Sequence, residues 1–570
     1  MSLRPGIHAE VACLGLAVLT FIMPQAPAVA QDSNRPISLM AGLGRHHHPV
    51  STANPTAQRY FDQGLSFVYA FNHDAAIRSF RRAAEVDPNL AMARWGIGLA
   101  LGPNINMDVD PDREKAAFEE AQKALALART APEEERAYVE ALVKRYSADS
   151  NADLKKLAVD FKNAMGDLAR RYPDDLDAAT LYAESMMDLR PWQLWSADGK
   201  PAEDTEQIVA ALESVLKRNP DHLGANHYYI HAVEASPHPE RALESARRLE
   251  ALAPAAGHLV HMPAHIYMRV GDYAAAARRN EFAALADQDY IQSCGVRGVY
   301  PMMYYSHNLH FLAVANALRG RFNDSINAAR QLTAHVGPAV REMPPLEGFM
   351  PTPLFVLLRF GRWQDILQYP EPAPDMKSTI ALWHFARGMA LAATGDSDQA
   401  PAELATFQSI REATPPEAMF GNNRVKDVLG VGEETLAARI ALARQDRKTA
   451  IDHLRKAVTA EDNLRYDEPP GWYLFSREAL GGVLLANGEF AEAEKVFRAD
   501  LDRNPRKGPS LFGLVESLKG QGRGQAARLV DMELETAWKA ADAPIKPADI
   551  WAGPAGDAKD TPNGREAAKR

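Results

Sequence analysis

From about residue 56 onward, apolar residues recur three and four positions apart, with Arg and Glu filling the places between. That spacing puts the apolar side chains on one face of a helix, and no run alternates long enough to suggest a sheet. Pairs such as Asp87-Pro88, Tyr172-Pro173, Asn219-Pro220, Ala253-Pro254 and Asn504-Pro505 interrupt the pattern at intervals. Proline lacks an amide hydrogen and clashes with the turn before it, so each pair closes a helix. The pattern predicts an all-α chain of successive helices.

The helices repeat. Residues 57–90 carry Gly64, Ala76, Phe80, Ala83 and Pro88, at places 8, 20, 24, 27 and 32 of a 34-residue unit. Residues 474–507 carry Leu480, Gly481, Gly488, Ala493, Phe497 and Pro505, at places 7, 8, 15, 20, 24 and 32. Residues 257–290 carry Ala264, Tyr267, Gly271, Tyr273, Ala276 and Ala283, at places 8, 11, 15, 17, 20 and 27. Small residues at places 8 and 20 let two helices approach closely, and place 15 turns the chain between them. This pattern resembles the tetratricopeptide repeat, a helix–turn–helix unit, over roughly 450 residues. The resemblance implies a right-handed α-solenoid whose first helices line a concave groove while the second helices face outward. It says almost nothing about activity.

Arg4 precedes a continuous apolar run at 11–23, and Ala28-Val29-Ala30 has the small-x-small form of a cleavage site. Residues 1–30 therefore read as an export signal, which places the protein in the periplasm or outside the cell. After that signal is removed, no run is apolar enough to span a membrane. The expected layout continues with a mobile arm over 31–55 and a first array over 56–335. An irregular proline-rich connection follows at 336–376, then a second array at 377–545 and a disordered tail at 546–570. Two connections, 191–203 and 288–301, are too long for plain repeats, and such insertions often help build a binding face.

Composition adds exclusions. With 570 residues, 46% hydrophobic and 24% charged, the chain is globular rather than disordered or fibrous. Its net charge of −10 argues against a nucleic-acid binder. Two cysteines, Cys13 and Cys294, exclude a disulfide-stapled scaffold. No phosphate-cradling glycine loop, GxSxG elbow or HisGluxxHis helix occurs.

The histidines are the candidate chemistry. Nine of the 17 fall between His222 and His310. His227 and His231 take places 5 and 9 of one repeat, and His261 and His265 take the same places of the next. His258 and His307 take place 2, His310 place 5, Glu234 place 12 and Glu184 place 9. At about 100° per residue these places share one face of the first helix. Imidazoles four apart on a helix can reach one metal ion. The set His227, His231, His258, His261, His265, His307 and His310 is therefore expected to bind one or two transition-metal ions, Zn, Cu, Fe or Mn by donor type. Glu184 and Glu234 are expected as further ligands or as bases acting on a metal-bound water.

The reading that follows is a metal-dependent hydrolase or oxidoreductase acting on a small-molecule or peptide ligand held in the groove. The alternative is a non-catalytic scaffold that holds a protein or peptide partner, which would instead use Asn, Lys, Arg and apolar anchors. His222 and His238 lie off the shared face and His384 takes place 4, a packing place; these three and His453 read as packing or surface residues. The tract His46-His47-His48 could complete a site if the arm folds back over the groove. Asn72-His73 and the loop 101–106 read as structural, and Trp192 and Trp195 as packing residues or a lid.

Overall fold

The computed structural model describes residues 37–543 and Ile545. Residues 1–30, expected to be an export signal, and the expected disordered tail at 546–570 lie outside the described residues. The chain is an all-α solenoid of tetratricopeptide-like hairpins, in which helices pack chiefly on their neighbours in sequence. Among the described residues, strand structure amounts to one hairpin, Met419–Phe420 paired antiparallel with Asn423–Arg424. No described helix is long and apolar enough to cross a membrane.

The repeat positions do what their sizes dictate. Phe80, at place 24, wedges between Gly64 of its own repeat and Gly96 of the next. A Cβ on either glycine would lie 2.6 Å from the ring. Phe497 does the same between Gly481 and Gly513, where added Cβ atoms would lie 2.6 and 2.1 Å away. One aromatic ring thus pins three helices together, and only glycine leaves room for it. At the turns, Gly271, Gly320 and Gly488 adopt φ of 77°, 77° and 80° at place 15. In the first repeat that place belongs to Phe71, which still takes a left-handed φ of 53°.

Several expectations need correction. The arm is held from Ile37 on. Ile37 and Leu43 are buried, the Met40 amide donates to Gln63 Oε1 at 2.7 Å, and the Ala255 amide donates to the Gly42 carbonyl at 2.9 Å. The 336–376 segment is not simply irregular, since it contains helices at Thr352–Arg359 and Trp363–Leu367. Of the expected loop at 288–301, the first half is helix, because Tyr273–Cys294 runs unbroken for 22 residues.

The two arrays also meet. The Tyr273 hydroxyl donates to the Pro505 carbonyl at 2.8 Å, and the Asp542 amide donates to the Gly320 carbonyl at 3.1 Å. The Arg269 guanidinium stacks over Tyr466 at 5.6 Å. One apolar core runs from Ile37 to Phe475. The curl carries the 464–475 segment to the histidine face, so that face is closed over rather than left as an open groove.

Candidate metal centre

Three first helices carry the histidines. Leu223–Val233 holds His227 and His231 one turn apart. The next first helix is broken at Pro263 into Gly257–His261 and Pro263–Arg269, and holds His258, His261 and His265. Tyr305–Leu318 follows a π-helical turn at Tyr300–Tyr304 and holds His307 and His310.

Two triads result, built by one rule. His227 and His231 join His258, and His261 and His265 join His307. Each triad is a pair spaced i, i+4 from one repeat plus the place-2 histidine of the following repeat. Within each triad the ligand-type atoms lie within 4.8 Å of one another. His227 Nε2 and His258 Nε2 are 3.1 Å apart, and His261 Nε2 and His265 Nε2 are 2.7 Å apart.

Second partners fix the orientation of four of these rings. His227 Nδ1 donates to the Tyr69 carbonyl at 2.7 Å, and His231 Nδ1 donates to Glu234 Oε1 at 2.7 Å. His261 Nδ1 donates to Asn280 Oδ1 at 2.7 Å, whose own Nδ2 is spent on the Ala276 carbonyl at 2.8 Å. His265 Nδ1 donates to Glu234 Oε2. Carbonyl and carboxylate oxygens have no proton to give, so each Nδ1 carries the hydrogen and each Nε2 of a neutral ring presents a lone pair inward. This is how the outer partners of metal-bound histidines act.

The electrostatics agree. Burial, reinforced by neighbouring imidazoles, holds His227, His258, His261 and His307 well below the ordinary histidine range. Burial also lowers His231. These are the neutral rings that metals require. Burial alone would raise the Glu234 carboxyl, but His265 and His231 reverse this and hold it at about 2. Glu234 is therefore an ionised clamp, and both its oxygens are committed.

Two strained aromatics frame the site. The Phe71 ring stacks on His231 at 5.7 Å and on His258 at 5.5 Å. Trp192, also left-handed at φ 59°, meets His231 edge-on at 5.6 Å. Non-glycine residues held in this region cluster at functional sites. A crevice of about 20 Å³, lined by Trp192, Met187, His231, Glu234 and Tyr466, reaches the centre. That is room for about one water molecule.

Not every expected residue arrives. Glu184 is buried beside Asp188, with which burial pushes it well above the usual carboxylate range. Asp188 in turn accepts from Arg145 at 2.8 Å, and Glu184 joins neither triad. His310 turns away toward Phe349 and Tyr473, with ring centres 5.6 and 6.2 Å distant. Glu234 also forms a ligand-type group with His231 and His265, and its two oxygens accept from those rings. His238, His384 and His453 pair with Glu240, Glu403 and Glu434 away from the triads. His222 was expected to be a packing residue but stands with His46 and Asp177 in a separate cluster. Glu468 escaped notice in the sequence. Burial, reinforced by Glu234 and opposed by His265, raises its carboxyl to about 7, and it accepts from Tyr466.

No family model matches the chain. No curated protein matches it. Among solved structures it is similar to the human IFIT1 dimer with m7Gppp-AAAA, at 14% identity and TM-score 0.32, over 86% of this chain and 91% of that one. It is also similar to yeast Tom70, at 12% identity and TM-score 0.28, over 84% and 90%. The TPR domain of P58(IPK) follows at 11% and 0.23, over 82% and 99%.

Proposed function

We propose that this chain is an exported metalloprotein whose two histidine triads each hold a transition-metal ion, for metal-dependent chemistry on a small molecule. The observation that carries the reading is the anchoring of four Nδ1 atoms, which turns four Nε2 lone pairs toward two shared points. The donors are imidazoles, with the carboxylate held outside them. Copper, zinc or nickel suits such donors, iron less so, and manganese is the poorest fit of those expected. Bound there, the ion would activate water or exchange electrons with the substrate. The residues around it, Trp192, Met187 and Tyr466 among them, exclude bulk water and narrow the approach to His231 and Glu234. Export rests on the apolar run at 11–23 and the Ala28-Val29-Ala30 site.

Elemental analysis of untagged protein tests the reading. Wild type should carry copper, zinc or nickel at a near-integral ratio, and His227→Ala and His261→Ala should each lower it by about one ion. A metal-free wild type that takes up neither Cu2+ nor Zn2+ on reconstitution ends it.

A further inference from the structure

A separate set of ligand-type side chains lies where the N-terminal arm crosses the ends of two first helices. Asp177 is the first-turn acid of Leu176–Met187, His222 caps Leu223–Val233, and His46 comes from the arm. The side chains of His46, Asp177 and His222 are 8%, 9% and 2% exposed. His46 Nε2 is 3.0 Å and His222 Nε2 is 3.3 Å from Asp177 Oδ1. Neither nitrogen has a well-aligned hydrogen-bond partner among the described residues. Burial alone would raise the Asp177 carboxyl, but His46, His222 and His48 together hold it well below its ordinary range. Nitrogens this close to a carboxylate oxygen yet not aligned with it are arranged as neighbouring ligands of one ion would be, given metal–ligand bonds of about 2.0–2.2 Å.

Asp177 is itself oriented from outside. The Tyr69 hydroxyl donates to Oδ1 at 2.5 Å, and His48 Nδ1 donates to Oδ2 at 2.9 Å. Those two donors leave a lone pair of Oδ1 for the space shared with the two imidazoles. The cluster borders a cavity of about 1090 Å³ whose wall includes the carboxylates of Glu134, Asp174 and Asp221. A carboxylate-lined mouth concentrates cations.

We propose that His46, Asp177 and His222 form a third transition-metal site, distinct from the two triads and open to solvent through this acidic vestibule. Its ligand class is a divalent cation that accepts mixed nitrogen and oxygen donors, Zn2+ being the representative case. Occupancy is exchangeable for a structural reason. His222 Nδ1 accepts the Ala225 amide at 3.2 Å, which places the ring proton on Nε2. Taking an ion on Nε2 shifts that proton to Nδ1 and gives up the helix cap. Tyr69 touches both places, since its hydroxyl holds Asp177 and its carbonyl holds His227.

The test uses the full chain, stripped with chelator and dialysed against Zn2+, with bound metal counted by elemental analysis. His46→Ala and Asp177→Asn should each remove one exchangeable ion, or weaken it at least tenfold. His47→Ala, whose ring faces Asp62, should remove none. A chain with both triads disabled by His227→Ala and His261→Ala should still bind about one Zn2+ and lose it on adding His46→Ala. Should that double variant not fold, His46→Ala in the otherwise intact chain reads the same loss. The proposal is overturned if folded His46→Ala and Asp177→Asn chains bind as many ions, as tightly, as wild type. Failure of the triads alone would leave one ion in wild type and none in His46→Ala, so the two proposals fail separately.

Discussion

His261 Nε2 and His265 Nε2 face each other at 2.7 Å, and neither neutral ring has a proton to offer the other. Asn280 holds the hydrogen of His261 on Nδ1, and Glu234 holds that of His265. Two lone pairs at this distance repel unless a cation lies between them. Without an ion that cation must be a proton. Burial alone would lower His265, but Glu234 raises it above the ordinary value, so His265 is the ring that carries the extra proton.

Metal binding should therefore stabilise the fold markedly. Chelator-stripped protein is expected to unfold at lower temperature than protein with Cu2+ or Zn2+ restored. The gain should approach about 4 kcal/mol when free metal is about a thousandfold above its dissociation constant. Calorimetry on the two forms reads it, and coincident transitions would count against an ion at the triads.

Glu234 serves both triads at once, so Glu234→Gln should disturb both. A glutamine offers one acceptor oxygen where two acceptors are needed, and its NH2 would face a ring N–H. Loss of such an outer partner usually weakens metal binding about 10–100-fold. Stability should respond to pH in a defined direction. The folded carboxyl sits at about 2 against an ordinary 4.5, so its contribution is complete above pH 4.5 and fades as pH falls toward 2. The stability gap between wild type and Glu234→Gln, followed by urea unfolding, should be widest between about pH 4.5 and the ordinary histidine value of 6.5, narrowing below it as Glu234 takes a proton and above it as His265 gives one up. A gap that widened on acidification below that window would contradict the clamp role.

Phe71 occupies a turn position where glycine stands in other repeats. Its left-handed backbone costs roughly 1–2 kcal/mol, while truncating a buried phenylalanine usually costs about 3–5 kcal/mol. Phe71→Gly should then be destabilising by about 2 kcal/mol, less than Phe61→Ala in the same core. It should also uncover His231 and His258 and speed metal loss to a chelator. Unchanged release rates would show that Phe71 is only filler.

Much of this was written in the local pattern. Places 15 and 24, the i, i+4 histidine pairs and the place-2 histidines all follow from a 34-residue period, because stacked repeats bring equal places together. What the period could not show is what reaches in from elsewhere. His46 meets Asp177 across 131 residues of sequence, and Tyr466 comes 3.5 Å from Glu234 across 232. His310 has the right place in its repeat, but the extended helix Tyr273–Cys294 and the π turn at Tyr300–Tyr304 precede it. Its ring lies against Phe349 and Tyr473 instead. Glu184 lies on the same face, yet Asp188 and Arg145 crowd it.

The Phe497 wedge gives the most direct test of the repeat packing. An alanine at Gly481 would place its Cβ 2.6 Å from that ring, and the ring has Gly513 on its other side, so it cannot retreat. Gly481→Ala is expected to cost about 1–3 kcal/mol, as overpacking does, despite alanine's better helix propensity. Phe497→Leu alone should also destabilise, by opening space between three helices. Combined, the two changes should cost less than their sum, because the smaller side chain makes room for the new methyl. Urea unfolding of the four proteins gives the interaction energy. Strict additivity would mean that the ring and the glycine do not share the contact.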